Sequence, residues 1–170
     1  VYKRQDLFSE VFIEALKNPK ISILLLGSGN AIVEQQLTAL KKTHQGRFNA
    51  FIGYDESLSH KMYAGADFLL MPSRVEPCGL NQMYSLRYGT IPIVSKVGGL
   101  KDTVTDISEG GFGFTHDHIT VSDIHNAIIR STAFYGNTAV FKKTRLHIMK
   151  IDHSWDASAM QYINLYKSII

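Results

Sequence analysis

The sequence has few of the features that mark secreted, membrane or nucleic-acid-binding proteins. Its 170 residues include one cysteine, which excludes an internal disulfide, and we expect a reducing compartment: the cytoplasm, or the plastid in a plant. No apolar run approaches the roughly 18 residues that cross a bilayer, so we expect no membrane partner. Net charge is only +3, and basic pairs such as Lys41-Lys42 are isolated. We therefore expect no nucleic-acid partner.

The composition and the order of apolar segments predict one α/β domain. Hydrophobic residues make up 45% of the chain and charged residues 19%, enough for one buried core. The chain starts at Val1 without an initiator methionine, so we expect a fragment, with residues 1–170 as a single domain. Strands alternating with helices favour a doubly wound, mostly parallel, Rossmann-like sheet. The predicted strands are residues 21–26, 48–52, 68–71 and 91–94. A helix at residues 6–17 is predicted before the first strand, and helices at about 31–40, 56–63 and 80–88 are predicted between the strands.

The last third of the chain is predicted to be helical, from about residue 121 to residue 170. Ser122 is expected to cap the first helix and Ser154 the last, with a further helix at residues 138–149. The spacing predicts inward-facing side chains on the first of these helices (Ile124, Ala127, Ile128, Ser131) and on the last (Trp155, Tyr162, Ile163, Tyr166).

The most informative stretch is the run Pro-Ser-Arg-Val-Glu-Pro-Cys-Gly-Leu-Asn-Gln at residues 72–82. It joins a predicted buried strand to a predicted helix, and such loops lie at the ligand-binding edge of open α/β sheets. The amides of Cys78, Gly79 and Leu80 would be unpaired donors at a helix start, suited to an anion. Glu76 suits a hydroxylated or cation-like group beside that anion. A ligand that carries a phosphate next to a hydroxylated group is typical of a nucleotide-sugar, which is therefore the predicted ligand.

These residues resemble the bacterial glycogen synthases and plant starch synthases. The similarity covers residues 65–82, then Tyr-Gly-Thr-Ile-Pro-Ile-Val at 88–94 and Gly-Gly-Leu-Lys-Asp-Thr-Val at 98–104, and extends more loosely over about residues 6–166. It implies the C-terminal, donor-binding half of a two-domain GT-B glycosyltransferase. The implied activity is that of a retaining hexosyltransferase, which moves glucose from ADP-glucose to the non-reducing end of an α-1,4-glucan acceptor. Neither a metal nor another cofactor is expected. The acceptor half would be a missing N-terminal domain, and this fragment alone would be inactive.

The resemblance also implies roles for individual residues. Glu76 would be catalytic and face the donor sugar, and Tyr54 would stack on the adenine. Asn81 stands where a threonine is usual, and Tyr84 stands where many related transferases, though not the synthases, carry a second glutamate. Lys3 lies where a basic donor-phosphate residue is expected. The remaining implied nucleotide- or sugar-binding residues are Gly27, Gly29, Cys78, Gly79, Leu80, Asn81, Gly98 and Gly99.

Without the family resemblance, the residues alone leave three alternative functions open. Another GT-B transferase using UDP-glucose would share most of the motifs. A nucleotide-binding module without catalysis would need only the loop and an aromatic platform. A Rossmann dehydrogenase is disfavoured because Ile32 stands where the third glycine of a dinucleotide fingerprint should follow Gly27-Ser28-Gly29.

Overall fold

A computed structural model describes residues 5–169 of the chain. A 3-10 turn at Gln5–Leu7 leads into the first helix, and strands and helices then alternate up to residue 116. Three helices follow the last strand. The elements are α1 (Phe8–Leu16), β1 (Ile23–Gly27), α2 (Ala31–Thr43), β2 (Phe48–Ile52), α3 (Glu56–Gly65), β3 (Phe68–Met71), α4 (Asn81–Arg87), β4 (Ile91–Ser95), α5 (Gly98–Thr103), β5 (Phe114–His116), α6 (Val121–Tyr135), α7 (Thr138–Ile148) and α8 (Trp155–Ile169).

All five described strands pair in parallel, which confirms the predicted Rossmann-like α/β class. They form two ladders, β1-β2 and β3-β4-β5, and no described backbone pairing joins β1 to β3. Side-chain packing joins the ladders instead, because Leu25 of β1 and Phe68 of β3 pack against the same hydrophobic cluster. The strand β5 was not predicted from the sequence.

Helix α1 shows why the ladders share one core. Its buried residues Val11, Phe12, Ala15 and Leu16 recur at the three- and four-residue spacing of one helix face. The ring of Phe12 lies 5.7 Å from that of Phe48 on β2, so α1 closes over the smaller ladder. The opposite face of β1 is open, since Leu24 is mostly exposed. The prediction of a buried first strand therefore holds for one face only.

Pro92 lies in the central strand of the larger ladder, where proline is unusual because it has no N–H group to donate. It is aligned with Leu69 of β3, and the pairing with β5 begins one residue later, at Ile93. The missing N–H group therefore lies just before the point where β4 begins to pair with β5. Gly113 allows the segment before β5 to lie close to Pro92, since an added β-carbon on Gly113 would lie 3.1 Å from the Pro92 carbonyl oxygen.

Helix α6 buries the four side chains predicted for it, but its cap is Thr120 and not Ser122. The Thr120 hydroxyl accepts a hydrogen bond from the Asp123 amide at 3.2 Å, because the helix begins two residues earlier than a cap at Ser122 would place it. Arg130 of α6 makes a two-bond ion pair with the buried Asp106 carboxylate, at 2.9 and 3.1 Å. This pair fastens α6 to the loop that precedes β5.

Helix α8 contradicts the expectation that its aromatic side chains are buried. Its predicted cap is present, as the Ser154 hydroxyl accepts from the Ala157 amide at 3.2 Å. However, no described residue of α8 is buried, and Trp155 is 90% exposed. The physical reason is that no other described element covers this helix face. Its exposed large apolar side chains are Trp155, Met160, Tyr162, Ile163, Leu165, Tyr166 and Ile169.

None of the helices within residues 5–169 has the length and apolar character that a membrane span requires.

Candidate functional site

The β3–α4 loop, residues 72–80, is anchored beneath Glu76. The Glu76 side chain is half-buried, and its Oε2 accepts a hydrogen bond from the Ser73 hydroxyl at 3.3 Å. Ser73 is itself buried, and its carbonyl oxygen accepts a bond from the hydroxyl of Ser95, the last residue of β4. The carboxylate is therefore positioned from the adjacent strand and is not a freely rotating surface group.

Gly98 and Gly99, at the start of α5, pack directly against this loop. A β-carbon on Gly98 would lie 2.2 Å from the Glu76 carbonyl oxygen, and one on Gly99 would lie 2.1 Å from the Cys78 carbonyl oxygen. Only glycine permits such contact between two backbones. The Gly99 amide donates to the Glu76 carbonyl at 3.0 Å, so that amide is engaged within the protein. The visible role of these two glycines is thus close packing, and ligand contact by Gly98 stays a prediction.

The second half of the β3–α4 loop is held by a residue to which the sequence analysis gave no role. The side-chain amide of Gln82, in the first turn of α4, donates to the carbonyls of Cys78 at 3.1 Å and Gly79 at 2.8 Å. Gly79 has a φ of +73°, which favours glycine. The available signal was spacing: Gln82, Ser85 and Leu86 form one buried helix face.

The residues predicted to face the anion lie at the exposed end of the loop. Cys78, Leu80 and Asn81 are all exposed. Helix α4 begins at Asn81, and Leu80 at its N-cap position makes no side-chain hydrogen bond to the helix. The Cys78 thiol lies 3.6 Å from the Gly79 carbonyl and makes no stronger contact among the described hydrogen bonds. Backbone groups of the loop are therefore accessible to a ligand that approaches α4 from solvent.

Tyr54 lies at the end of the neighbouring strand and projects away from the protein. Its side chain is 86% exposed, so packing against the following helix does not explain it. Gly53, with a φ of +149°, turns the chain out of β2, and Asp55 caps α3 by accepting from the Leu58 amide at 2.8 Å. An exposed ring in this position can stack on a nucleobase.

Gly27 and Gly29 line a small cleft between β1 and α2, together with Ser28, Glu34 and mainly apolar side chains. The Gly29 amide donates to the Glu34 carboxylate at 2.8 Å, so this amide too has a partner within the protein. An added β-carbon on Gly27 would meet nothing within 4 Å. Binding by either glycine stays a prediction.

An aromatic cluster links the helices that carry the two loops. Tyr63 of α3 lies 6.3 Å from the ring of Tyr84 and 6.1 Å from that of Tyr88, both on the α4 side. The His60 Nδ1 is 2.9 Å from the Tyr88 hydroxyl. Burial, with a smaller contribution from Tyr84, raises the pKa of the Tyr63 hydroxyl, which therefore stays protonated. Tyr84 thus takes part in packing between α3 and α4.

Two predictions concern residues away from these loops. Lys3 lies outside the described residues. Among residues 5–169 no group of three His, Cys, Asp or Glu side chains has the arrangement of a metal site. His116 is buried at the end of β5, with its Nδ1 3.0 Å from the His118 carbonyl oxygen.

The geometry combines a half-buried carboxylate, a loop with accessible backbone groups and an exposed aromatic ring. Comparison with known protein families gives this arrangement a context. The family described as glycosyl transferases group 1 matches residues 1–132 of the chain.

Individual relatives agree with that match. The chain is 52% identical to a glycogen synthase from Flavobacterium johnsoniae over 99% of its own length and 36% of that protein. It is 45% identical to a glycogen synthase from Nitrosomonas europaea, over 87% of the chain and 31% of that protein. The catalytic domain of starch synthase IV from Arabidopsis thaliana, solved with ADP and acarbose, superposes with a TM-score of 0.86 at 30% identity. That superposition covers 99% of this chain and 36% of the other. The chain thus spans about a third of each relative's length.

Proposed function

Because the chain belongs to the group 1 glycosyl transferases and has the Rossmann-like fold of a GT-B C-terminal half, we propose that it is the donor-binding domain of a glycogen synthase. The proposed reaction transfers glucose from ADP-glucose to the non-reducing end of an α-1,4-glucan, with retention of the α configuration. We place this reaction in the cytoplasm, and it requires no cofactor beyond the donor.

The observation that carries this proposal is the anchored position of Glu76. Its carboxylate is held by Ser73, and its own carbonyl is held by the Gly99 amide. A carboxylate fixed before substrate arrives can stabilise positive charge that develops at the anomeric carbon without reorganising during the reaction. In this proposal Glu76 faces the sugar and is the catalytic residue of this domain.

The other predicted residues divide the donor between them. The backbone of Cys78 to Asn81 binds the diphosphate and the sugar, and the exposed ring of Tyr54 stacks on adenine. Gly27 and Gly29 line the neighbouring cleft under the nucleotide-sugar. In this proposal the sugar with its diphosphate and the adenine base bind to separate loops, each at the end of a parallel strand.

In this proposal the rest of the active site belongs to a part of the protein outside these 170 residues. Those glycogen synthases are about three times as long as the region they share with this chain. We infer that the additional sequence forms an N-terminal acceptor domain and that it covers the exposed apolar face of α8. Without it, the reacting groups cannot be held in attack geometry, so the 170-residue chain alone is inactive.

The test is donor-dependent glucan synthesis by the full-length protein and by the 170-residue chain. The full-length protein should incorporate labelled glucose from ADP-glucose into glycogen as new α-linkages, while the chain alone should give the background of a mock preparation. Incorporation from UDP-glucose alone would correct the donor. Binding of ADP without any transfer by the full-length protein would favour a non-catalytic nucleotide-binding module.

A further inference from the structure

Gln82 is a fully buried polar residue directly beneath the β3–α4 loop. Its side-chain Nε2 lies within hydrogen-bond distance of three acceptors: the carbonyls of Cys78 at 3.1 Å and Gly79 at 2.8 Å, and the Thr103 hydroxyl at 3.2 Å. Thr103 in turn donates to the Gly99 carbonyl at 2.6 Å. One side chain therefore connects the loop to the helix that packs against it.

The two carbonyl bonds determine the direction of two backbone amides. In a trans peptide the C=O of one residue and the N–H of the next are antiparallel. Because the Cys78 carbonyl points inward to Gln82, the Gly79 amide points outward. The Gly79 carbonyl orients the Leu80 amide in the same way. In the backbone hydrogen bonding described for residues 5–169, neither amide donates to a carbonyl.

The backbone conformation brings these amides together. Gly79 has a φ of +73°, and Leu80 follows in the right-handed helical region, with a φ of −110° and a ψ of −30°. Successive residues of opposite hand turn their N–H groups towards one point and form a concave anion site. Gln82 holds both peptide planes of this concavity from behind.

The arrangement has a visible cost. The other side-chain atom of Gln82, Oε1, is buried and has no hydrogen-bond partner among the described residues. The side chain cannot be reversed to relieve it, because Oε1 would then face two carbonyl oxygens. A β-carbon on Gly79 would lie 2.5 Å from the same atom. A buried unpaired acceptor that persists in a folded protein calls for a functional explanation.

We propose that Gln82 is a positioning residue for the donor diphosphate, which aims the Gly79 and Leu80 amides at its phosphate oxygens by fixing the two carbonyls behind them. This inference rests on the proposed function, since it assumes a nucleoside diphosphate donor. Gln82 touches no substrate. Its loss should therefore weaken binding of the diphosphate and leave binding of the nucleoside unchanged.

The experiment compares two variants of the full-length protein with the wild type. Gln82→Met keeps the side-chain length but removes the donor, and Gln82→Glu keeps the shape and can donate only when its carboxyl is protonated. Calorimetry gives the affinities for ADP and for adenosine at neutral and at mildly acidic pH. We expect Gln82→Met to lose about tenfold or more in ADP affinity at both pH values, with no change for adenosine.

Gln82→Glu should lose ADP affinity at neutral pH and recover part of it, relative to wild type, as the pH falls. Burial next to two carbonyl oxygens raises the pKa of a carboxyl group, so acid converts it into the O–H donor that the loop requires. The recovery should appear in ADP affinity and not in adenosine affinity, which separates this role from a general relief of the buried charge. If Gln82→Met does not fold, the same Gln82→Glu protein measured at two pH values still decides the question.

Ser131→Ala is the control, because it removes a different buried polar group, a hydroxyl on α6, away from the loop. The inference is wrong if the ratio of ADP to adenosine affinity is unchanged in both variants. It is also wrong if the loss follows the melting temperature and Ser131→Ala shares it, or if acid gives no recovery. Wild-type protein that binds neither ADP nor UDP would instead refute the proposed function, and the inference with it.

Discussion

The two loops proposed to bind the donor are built in opposite ways. The β3–α4 loop is fixed from three directions: Ser73 beneath its carboxylate, Gly99 against its backbone and Gln82 behind its carbonyls. In the loop around Tyr54 only the backbone is held in place, and the tyrosine ring extends into solvent. The rigid loop faces the proposed site of bond cleavage. In the proposed function the open loop faces only the base, which does not change during the reaction.

The difference matches what each half of the ligand demands. Stabilising a developing charge requires groups that are already in place, because moving them during the reaction costs energy. Stacking on a base requires only a flat apolar surface and tolerates some movement. We therefore expect changes in the rigid loop to affect turnover most, and changes at Tyr54 to affect affinity.

The largest effect is expected from Glu76→Ala in the full-length protein. Turnover should fall by about 10²–10³, the usual cost of removing one preorganised electrostatic group. ADP affinity and melting temperature should change little, since in the proposed function the carboxylate faces the sugar and not the nucleotide. Steady-state rates, ADP titration and thermal melting measure the three quantities.

The control for that variant is Glu56→Ala, which removes an exposed carboxylate at the start of α3. It should leave turnover near the wild-type level. A fall in turnover that only accompanies unfolding in Glu76→Ala would make Glu76 a structural residue.

A pair of glycine substitutions tests the rigidity of the β3–α4 loop directly. Gly99→Ala places a β-carbon 2.1 Å from the Cys78 carbonyl, so two backbones must separate, whereas Gly27→Ala meets nothing within 4 Å. Overpacking of this kind costs about 1–3 kcal/mol of unfolding free energy. We expect that loss of unfolding free energy for Gly99→Ala and not for Gly27→Ala, and Gly99→Ala should also bind ADP more weakly than the wild type. Equal denaturant midpoints for the two variants would contradict the comparison.

Tyr54→Ala tests the open loop. Loss of one stacking face should weaken ADP binding by about 1–3 kcal/mol. The melting temperature should not move, because an 86% exposed ring contributes little packing. Tyr54→Phe retains the ring and should bind ADP like the wild type. Unchanged ADP affinity in Tyr54→Ala would remove Tyr54 from the site.

The smallest effect is expected away from both loops, at Asp106. Burial alone would raise the pKa of this carboxyl, but hydrogen bonds from Arg130, Ser108 and Thr115 outweigh it and hold the pKa well below the usual range. A lowered folded-state pKa stabilises the fold above the unfolded pKa of about 3.9, and this contribution is lost as the pH falls below that value.

Asp106→Asn should therefore lose about 1–2 kcal/mol of unfolding free energy at neutral pH, a modest amount because Arg130 is partly exposed. The gap between variant and wild type should close on acidification, as urea unfolding at several pH values would show. A gap that widens in acid would contradict this sign. ADP affinity at neutral pH should be unaffected, which separates fold stability from the site.

Local patterns predicted most of this fold well. Phe48–Ile52 and Phe68–Met71 are short, mainly apolar strands with clear ends, and both match the structure residue for residue. The inward face of α6 followed from its spacing alone. The strand Phe114–His116 was missed because three residues after a glycine-rich turn give no period to detect, and its pairing with β4 is a long-range contact.

The site was predicted unevenly for a similar reason. Glu76 and Tyr54 stand out in a sequence because their chemistry differs from that of their surroundings. Gln82 does not, since its importance depends on the two carbonyls it meets, and a carbonyl direction cannot be inferred from residue types. The aromatic face of α8 was misjudged because helical spacing identifies an apolar face but does not identify what covers it.

Helix α8 also determines how the chain can be observed by fluorescence. Trp155 is the single tryptophan of the 170 residues, and it is 90% exposed. Its indole is already in water in the folded chain, so its emission should hardly shift when the chain unfolds, and circular dichroism is the better signal for stability. The same indole would move into an apolar environment when another surface covers α8. A blue shift of Trp155 emission would therefore report that contact, without any added dye.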